Sequence, residues 1–390
     1  MATPYPSLQA ASAGILAAIV GSASSFAVVV HGLSAVGATP EQAASGLMAL
    51  CIAQGLAAIL ASLVTRMPIS MAWSTPGAAL LATGGAVEGG FPAAVGAFIV
   101  CALLIILAGL FRPLGRAVAA IPLPLANAML AGVLFGLCLA PAKAVGTFPL
   151  EALTIIAVWA VAFRFKRLFA VPIAVATTAI LIYLTSDPAQ FQGIAGLTKP
   201  VFVMPDFTPG AAIGIGLPLF IVTMASQNIP GMAVLAVNDY RPDGGRLFSL
   251  TGFFSLLAAP FGGHAVNLAA ITAAMCANED AEPDRTRRYW ASTICGAFYL
   301  VFGLLAGTAT AFISIAPPVL IEAVAGLALI GALSGAIIGA TKDADTREAA
   351  VITFLVTASG LSFFGISGAF WGLIAGGGFM ALQSWRGKPA

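Results

Sequence analysis

Polar residues interrupt two short apolar segments, 69–85 and 262–276, at equivalent places in the two halves of the chain. The first segment carries a Ser-Thr-Pro sequence, and the second opens on Gly-Gly-His. Neither segment is long enough for a complete transmembrane helix, which needs about 20 residues. Paired broken helices in repeated halves are typical of the substrate site of a secondary transporter. We therefore look for function at these two segments.

The first segment predicts a helix start, with Thr75 as the N-cap and Pro76 as the first helical residue. Gly262 and Gly263 predict a similar break in the second segment. We therefore expect each half-helix to follow a short extended segment. Two half-helices that begin near the centre of a membrane would point the positive ends of their dipoles at one place. Such an arrangement favours an anion. Simple helix capping by Ser74 and Thr75 is as good an interpretation as direct contact of these residues with a ligand.

His264 follows the second break, where we expect a helix to start. An ionisable side chain inside a membrane predicts a functional site, and histidine can carry charge or a proton near neutral pH. The alternative is a histidine whose ring is satisfied by backbone carbonyls. Asn267 would share the helix face of His264. His31, at the end of the first predicted span, is expected at the membrane interface.

Ser226, Gln227 and Asn228 precede Pro230, which predicts that the eighth span ends there. Amide side chains offer both donors and acceptors, either to a ligand or to a neighbouring helix. Glu322 is the one carboxylate clearly inside a predicted span. It is a candidate for proton coupling, or a hydrated group near the outer interface.

Composition predicts a polytopic all-α membrane protein. The chain is 60% hydrophobic and 8% charged, with a mean hydropathy of +1.01, whereas soluble domains are about 25% charged. The spans show no nucleophile–base pair and no metal-ligand spacing, so we expect neither an enzyme nor a bound metal or cofactor. No basic tract points to nucleic acid. The first nine residues lack Lys and Arg, so we expect the first helix to be retained rather than cleaved.

The hydropathy pattern predicts fourteen transmembrane segments. Their ranges are 10–33, 41–65, 69–85, 91–111, 117–140, 149–165, 168–186, 209–228, 246–260, 262–276, 289–312, 316–340, 347–365 and 366–384. Of the 17 Lys and Arg residues, this topology leaves only Lys143 and Lys199 on the side opposite the termini. Without crossings at the two short segments, the asymmetry would nearly vanish. The positive-inside rule therefore predicts that both short segments cross and that both termini are cytoplasmic.

The two halves also show a weak internal repeat. A shift of 194 residues aligns Gly109 with Gly303 and Pro124 with Pro318. Seven spans in each half would force the second copy to run upside down, which gives the inverted repeat of many secondary transporters.

Three motifs carry a family resemblance. They are SQNIPG at 226–231, NDYRP at 238–242 and PFGGHAVNLAAIT at 260–272. With these motifs the chain resembles the benzoate/proton symporter (BenE) family over nearly its whole length. That family in turn resembles the nucleobase/cation symporters, whose fold is a seven-plus-seven inverted repeat.

The resemblance implies two domains, each assembled from both halves of the chain. Residues 1–112 and 201–312 would form a core domain of spans 1–4 and 8–11. Residues 113–200 and 313–390 would form a gate domain of spans 5–7 and 12–14. The gate domain often mediates dimerisation, so a homodimer in the inner membrane is an implied possibility.

In this alignment, Gln227 and His264 occupy the positions of the two substrate-binding carboxylates of nucleobase symporters. A neutral base is bound well by carboxylates, whereas an aromatic carboxylate would be repelled by them. The resemblance thus implies proton-coupled uptake of benzoate or a similar aromatic carboxylate. The predicted substrate-binding residues are Phe26, Trp73, Ser74, Thr75, Gln227, Asn228, Phe261, Gly263, His264 and Asn267.

Within this set, Phe26, Trp73 and Phe261 would form the apolar wall around the ring. The candidate proton carriers are His264 and Glu322. A transporter of another small organic or inorganic anion is the alternative function, and an anion channel is a further one.

Overall fold

The computed structural model describes residues 5–23, 25–85, 87–111, 122–186, 197–363 and 366–386. Helices dominate this part of the chain. The first half contains α1 (Leu8–Ala23), α2 (Phe26–Ala35), α3 (Pro40–Thr65), β1 (Met71–Trp73), α4 (Thr75–Gly84), α5 (Gly90–Leu110), α6 (Leu123–Cys138), α7 (Ala140–Thr147), α8 (Pro149–Phe165) and α9 (Ala170–Thr185).

The second half begins with α10 (Pro209–Val237), a helix that includes two π-helical turns. It continues with α11 (Gly244–Ala258), β2 (Val266–Leu268), α12 (Ile271–Ala277), α13 (Tyr289–Leu304), α14 (Ala306–Ile315), α15 (Pro318–Thr341), α16 (Arg347–Ala358), β3 (Ser362–Phe363), β4 (Ile366–Ser367) and α17 (Gly368–Arg386).

Six helices in the described part are long and apolar enough to cross a membrane, and a seventh candidate is α13 with α14, bent by 58°. The chain is therefore a mostly helical, polytopic membrane protein, as composition predicts. The full count of fourteen spans stays a prediction. The start of the predicted span 117–140 lies outside the described residues, as do Arg112, Arg116 and Lys388 of the charge count.

Each of the two short segments is a strand followed by a short helix. Strands β1 and β2 pair antiparallel, with Met71 opposite Leu268 and Trp73 opposite Val266. Helix α4 follows β1 and helix α12 follows β2. This local geometry agrees with the extended segments expected before both half-helices.

Three details of these segments were predicted wrongly. The N-cap of α4 is Ser74 rather than Thr75, because the Ser74 side chain accepts the hydrogen bond from Gly77 N–H. His264 does not begin a helix, since α12 begins at Ile271. Asn267 lies in β2 and so shares no helix face with His264.

Helix α10 does not end before Pro230, contrary to the prediction from proline. A π-helical turn over Met224–Asn228 leads directly into helix at Ile229. In an ordinary α-helix, the proline ring would clash with the carbonyl four residues earlier. The wider π-turn relieves this clash, and such turns are frequent at functional sites.

Two other predicted spans are less regular than expected. The helix of the predicted span 347–365 ends at Ala358, near Gly360, whose φ is +67°. The predicted span 289–312 bends between α13 and α14. At this bend Thr198 donates its N–H to Leu304 O (3.2 Å) and accepts from Gly307 N–H (2.6 Å). Insertion of another segment into a helical hydrogen-bond ladder is a known cause of kinks.

The helices form two packed groups. Helix α3 packs on α13 and α11, α5 packs on α11, and α2 packs on α4. Helices α6, α7, α15, α16 and α17 pack mainly on one another, and α8 packs on α9. The β1–β2 pair lies in the first group, against α3, α10 and α11.

The contact between α3 and α13 depends on two facing glycines. A Cβ atom at Gly55 would lie 2.6 Å from Gly296 O, and one at Gly296 would lie 2.7 Å from Gly55 O. Small residues let helices approach closely in membranes, where packing drives association.

We expect Gly55→Ala to lower the free energy of unfolding by about 1–3 kcal/mol, because the added methyl overpacks a backbone contact. Thermal unfolding of the purified protein in detergent measures this effect. Gly335→Ala is the matched control, since a Cβ there has no heavy atom within 4 Å. Equal melting temperatures for the two variants would contradict the packing argument.

Candidate functional site

Ser74 joins the two broken segments to α10. Its hydroxyl accepts from Gly77 N–H (3.1 Å) and from the Thr223 hydroxyl (2.8 Å). Its carbonyl lies 2.9 Å from His264 Nε2. Ser74, Thr223 and His264 are all fully buried. Three elements distant in sequence thus meet at the N-terminus of α4.

His264 has one ring nitrogen in use and one without a partner. A carbonyl oxygen can only accept a hydrogen bond, so the proton is assigned to Nε2, which donates to Ser74 O. Nδ1 is buried and has no hydrogen-bond partner among the described residues. The ring of Phe98 packs against the imidazole at 6.3 Å between centroids. A buried polar atom without a hydrogen-bond partner is rare, and here it indicates a position for a proton or a ligand.

Two predicted site residues hold the strand pair together instead of facing an open space. Asn228 Oδ1 accepts from Leu268 N–H at 2.8 Å. Asn267 satisfies both its amide atoms when it donates to Leu268 O and accepts from Ser74 N–H, each at 2.9 Å. Asn228 and Asn267 are fully buried. Their geometry is that of structural links between α10, β1 and β2.

Gln227 and Thr75 are predicted site residues whose polar side chains remain available. Both are half-buried, and neither side chain has a hydrogen-bond partner in the part of the chain that the structure describes. Gln227 lies one turn after Thr223, whose hydroxyl contacts Ser74, so it emerges on the same side of α10. These two side chains can therefore serve a ligand without breaking a protein contact.

Phe26 and Trp73 form an aromatic contact, with centroids 5.4 Å apart. Trp73 is also 6.1 Å from the Tyr299 ring, and Phe26 is 6.5 Å from that of Phe302. Trp73 Nε1 donates to the Ser25 hydroxyl at 2.9 Å, which fixes the indole.

The cluster formed by Phe26, Trp73, Tyr299 and Phe302 is called the aromatic cluster below. Sequence reasoning missed Tyr299 and Phe302, because nothing in the local pattern links α13 to β1. Phe261, predicted to join Phe26 and Trp73, packs against Phe202 at 6.1 Å.

Gly262 and Gly263 shape the turn before His264. Gly262 has a φ of +91°, which glycine adopts without strain. A Cβ atom at Gly263 would lie 2.7 Å from the Ala258 Cβ. Gly263, a predicted site residue, thus acts here through close packing on α11.

Glu322 lies in the first turns of α15, opposite His31 on α2. Glu322 Oε1 and His31 Nε2 are 3.8 Å apart, and each side chain is 32% exposed. His31, which was expected at the membrane interface, therefore contacts a candidate proton carrier.

We expect Asn228→Ala to lower the free energy of unfolding by about 1–3 kcal/mol, because Leu268 N–H would be left buried without an acceptor. Thermal or denaturant unfolding in detergent measures the loss. Asn238→Ala is a suitable control, since Asn238 bonds only the Val234 carbonyl of its own helix. Similar stability of the two variants would show that the amide does not hold the strand pair.

Comparisons with known proteins agree with this architecture. The family model described as "Benzoate membrane transport protein" (BenE) matches residues 5–382. The Inner membrane protein YdcO of Escherichia coli is 39% identical over 377 residues, which cover 96% of this chain and 95% of that protein. The Benzoate membrane transport protein of Acinetobacter baylyi is 32% identical over 379 residues, covering 95% and 94%.

Solved structures show a shared fold at low identity. The transmembrane domain of the cyanobacterial bicarbonate transporter BicA superposes with a TM-score of 0.60 at 15% identity, over 95% of this chain and 97% of that one. Murine Slc26a9, an anion transporter in the inward-facing state, gives a TM-score of 0.60 at 13% identity, over 99% and 69%. The chain belongs to the benzoate membrane transport protein (BenE) family, and it is a membrane transporter rather than an enzyme.

Proposed function

We propose that the chain is a secondary active transporter that takes up benzoate, or a similar aromatic carboxylate, together with protons. The observation that carries the proposal is the buried Nδ1 of His264, which has no partner among the described residues. Family membership supports the substrate, since one relative is named as a benzoate transport protein.

The tautomer of His264 suggests how anion and proton are coupled. Nε2–H donates to the Ser74 carbonyl, so neutral His264 offers only a lone pair at Nδ1. A lone pair repels a carboxylate, whereas a protonated Nδ1 donates a charge-assisted hydrogen bond to it. Binding of the anion at this atom therefore brings one proton with it. By thermodynamic linkage, the bound proton then tightens the binding of the anion, and the bound anion tightens the binding of the proton.

The carboxylate would lie between Thr75 and His264, with Gln227 alongside. Helix α4 is ten residues long, and the positive end of its dipole lies at Thr75. The amide group of Gln227 adds N–H donors. No carboxylate side chain is among these predicted ligands, which suits an anion.

The aromatic cluster would supply the apolar wall for the benzoate ring. Phe26 is half-buried, so its ring would be available to a ligand. Trp73 is held in place by its hydrogen bond to Ser25. Aromatic pairs add specific attraction to the hydrophobic gain. A small inorganic anion would gain nothing from such a wall.

Because His264 Nδ1 is buried, substrate reaches it only if the surrounding helices move. We propose that the group containing the β1–β2 pair moves against the group built on α6 and α15. We propose that these two groups are the core and gate domains that the family resemblance implies. The antiparallel pairing of β1 with β2 supports an inverted repeat. The distribution of Lys and Arg along the sequence supports the proposal of fourteen spans and cytoplasmic termini. The group built on α6 and α15 also carries the proposed dimer surface.

A transporter of another small anion is the second candidate. The fold neighbours support it, since one is named as a bicarbonate transporter and one as an anion transporter. Uptake of labelled benzoate into proteoliposomes separates the candidates: a tenfold excess of unlabelled benzoate should suppress it, and a tenfold excess of bicarbonate or chloride should not. Uptake that saturates also argues against a channel.

We expect His264→Ala and Gln227→Ala each to weaken benzoate binding about 10- to 150-fold, because a hydrogen bond to a charged group contributes on the order of 1.5–3 kcal/mol. Isothermal titration calorimetry on the purified protein measures the affinity. Asn127→Ala is the control, since the Asn127 side chain on α6 packs beside Gly339 of α15. Wild-type affinity in both site variants would place the substrate elsewhere.

We expect His264→Gln to retain benzoate exchange but to lose accumulation driven by an inward proton gradient. Glutamine keeps a donor for the carboxylate but takes up no proton. Uptake and counterflow in proteoliposomes at several pH values distinguish the two activities. Glu322→Gln should still accumulate benzoate. If the His264 variant accumulates benzoate against its gradient, histidine is a ligand only and the proton is carried elsewhere.

A further inference from the structure

The contact between His31 and Glu322 connects the two groups of helices. His31 lies on α2, which packs mainly on α3 and α4 of the group that holds the candidate site. Glu322 lies on α15, which packs mainly on α6 and α7 of the other group. Nε2 of the imidazole and Oε1 of the carboxylate are 3.8 Å apart.

Each residue is the other's sole ion-pair partner among the described residues. The two side chains are each 32% exposed at the protein surface. His264, by contrast, is fully buried. The pair is therefore a second ionisable site, separate from the proposed substrate ligands and less enclosed than His264.

We propose that His31 and Glu322 form a positioning contact between the two groups of helices, and that protonation of His31 strengthens it and slows the transport movement. The proposal rests on the transport function proposed above. With neutral His31, the contact is a weak polar one. With protonated His31, it is an ion pair at 3.8 Å, and this pair must separate before the groups can move apart.

The pH range follows from histidine itself, because imidazole is the side chain that ordinarily titrates near neutral pH. Lowering the pH therefore strengthens the contact, whereas it favours substrate binding at His264. The two effects have opposite signs, so an exchange measurement at saturating benzoate isolates the first.

Other ionisable groups lie on some of the helices packed against α2 and α15. Helices α4 and α14 carry none. The remaining neighbours carry Glu41, Cys51, Cys138, Lys143, Glu151, Arg164, Tyr183, Tyr289, Cys295, Tyr299, Arg347 and Glu348. None of these forms an ion pair with His31 or Glu322 in the described structure.

The test uses counterflow of labelled benzoate in proteoliposomes with the same pH on both sides, at saturating substrate, between pH values of about 5.5 and 8, which span the ordinary titration of histidine. His31→Gln and Glu322→Gln should exchange benzoate faster than the wild type at the acidic end. We expect a gain of about two- to fivefold, the size typical of a partly exposed ion pair. At the alkaline end the variants and the wild type should exchange at similar rates.

Glu151→Gln is the matched control, because this half-buried carboxylate lies in the first turn of α8 and forms no ion pair in the described structure. It should follow the wild type at every pH. A double variant that exchanges the two residues, His31→Glu with Glu322→His, should restore the wild-type profile. If a single variant does not fold, the pH profile of this double variant still tests the proposal.

Three results would overturn the proposal. A ratio of variant to wild-type rates that does not change with pH removes the role of protonation. Loss of gradient-driven accumulation in Glu322→Gln, with exchange retained, makes Glu322 the proton carrier instead. A swapped pair that folds but behaves like the single variants shows that the contact itself is not the cause. Absence of any benzoate exchange in the wild type would refute the proposed function, which is a separate outcome.

Discussion

The structure depends on satisfying backbone hydrogen bonds where two helices are interrupted. Within a bilayer, an extended segment is tolerated only if protein covers it or if it lines a cavity. Strands β1 and β2 meet this demand by pairing with each other. Side chains complete the edges: Ser255 Oγ accepts from Val266 N–H and Asn228 Oδ1 accepts from Leu268 N–H, both at 2.8 Å.

This constraint explains why so many polar residues near the crossing are structural. Ser74 caps α4, Asn267 bonds Ser74 and Leu268, and the π-turn of α10 brings Asn228 to the strand edge. Among the described residues, the groups left without a partner include the Thr75 and Gln227 side chains and one nitrogen of His264. The proposed transport chemistry uses only these.

Much of the architecture was predictable because it follows from composition and from local breaks in hydropathy. Composition predicts the membrane class. The breaks at Pro76, Gly262 and Gly263 predict the extended segments and the short helices. The roles of individual polar residues could not be read in the same way. Asn267 was assigned to a helix because β2 forms only through a partner strand nearly 200 residues away.

Long-range partners account for the other differences. Proline predicts a break at Pro230, but a π-turn absorbs it. The sequence does not link His31 with Glu322, because their contact forms only through the packing of α2 on α15. Tyr299 and Phe302 join Trp73 and Phe26 only through the packing of α13.

The central claim is that an aromatic carboxylate binds where the two strand–helix segments cross. A structure determined with para-bromobenzoate, using the anomalous scattering of bromine, tests it most directly. The account predicts bromine beside Phe26 and Trp73, with the carboxylate within hydrogen-bonding distance of His264 Nδ1. Bromine in the open depression of about 680 Å³ between α1 and the end of α12, lined by Leu8 and Met275 among others, would contradict it.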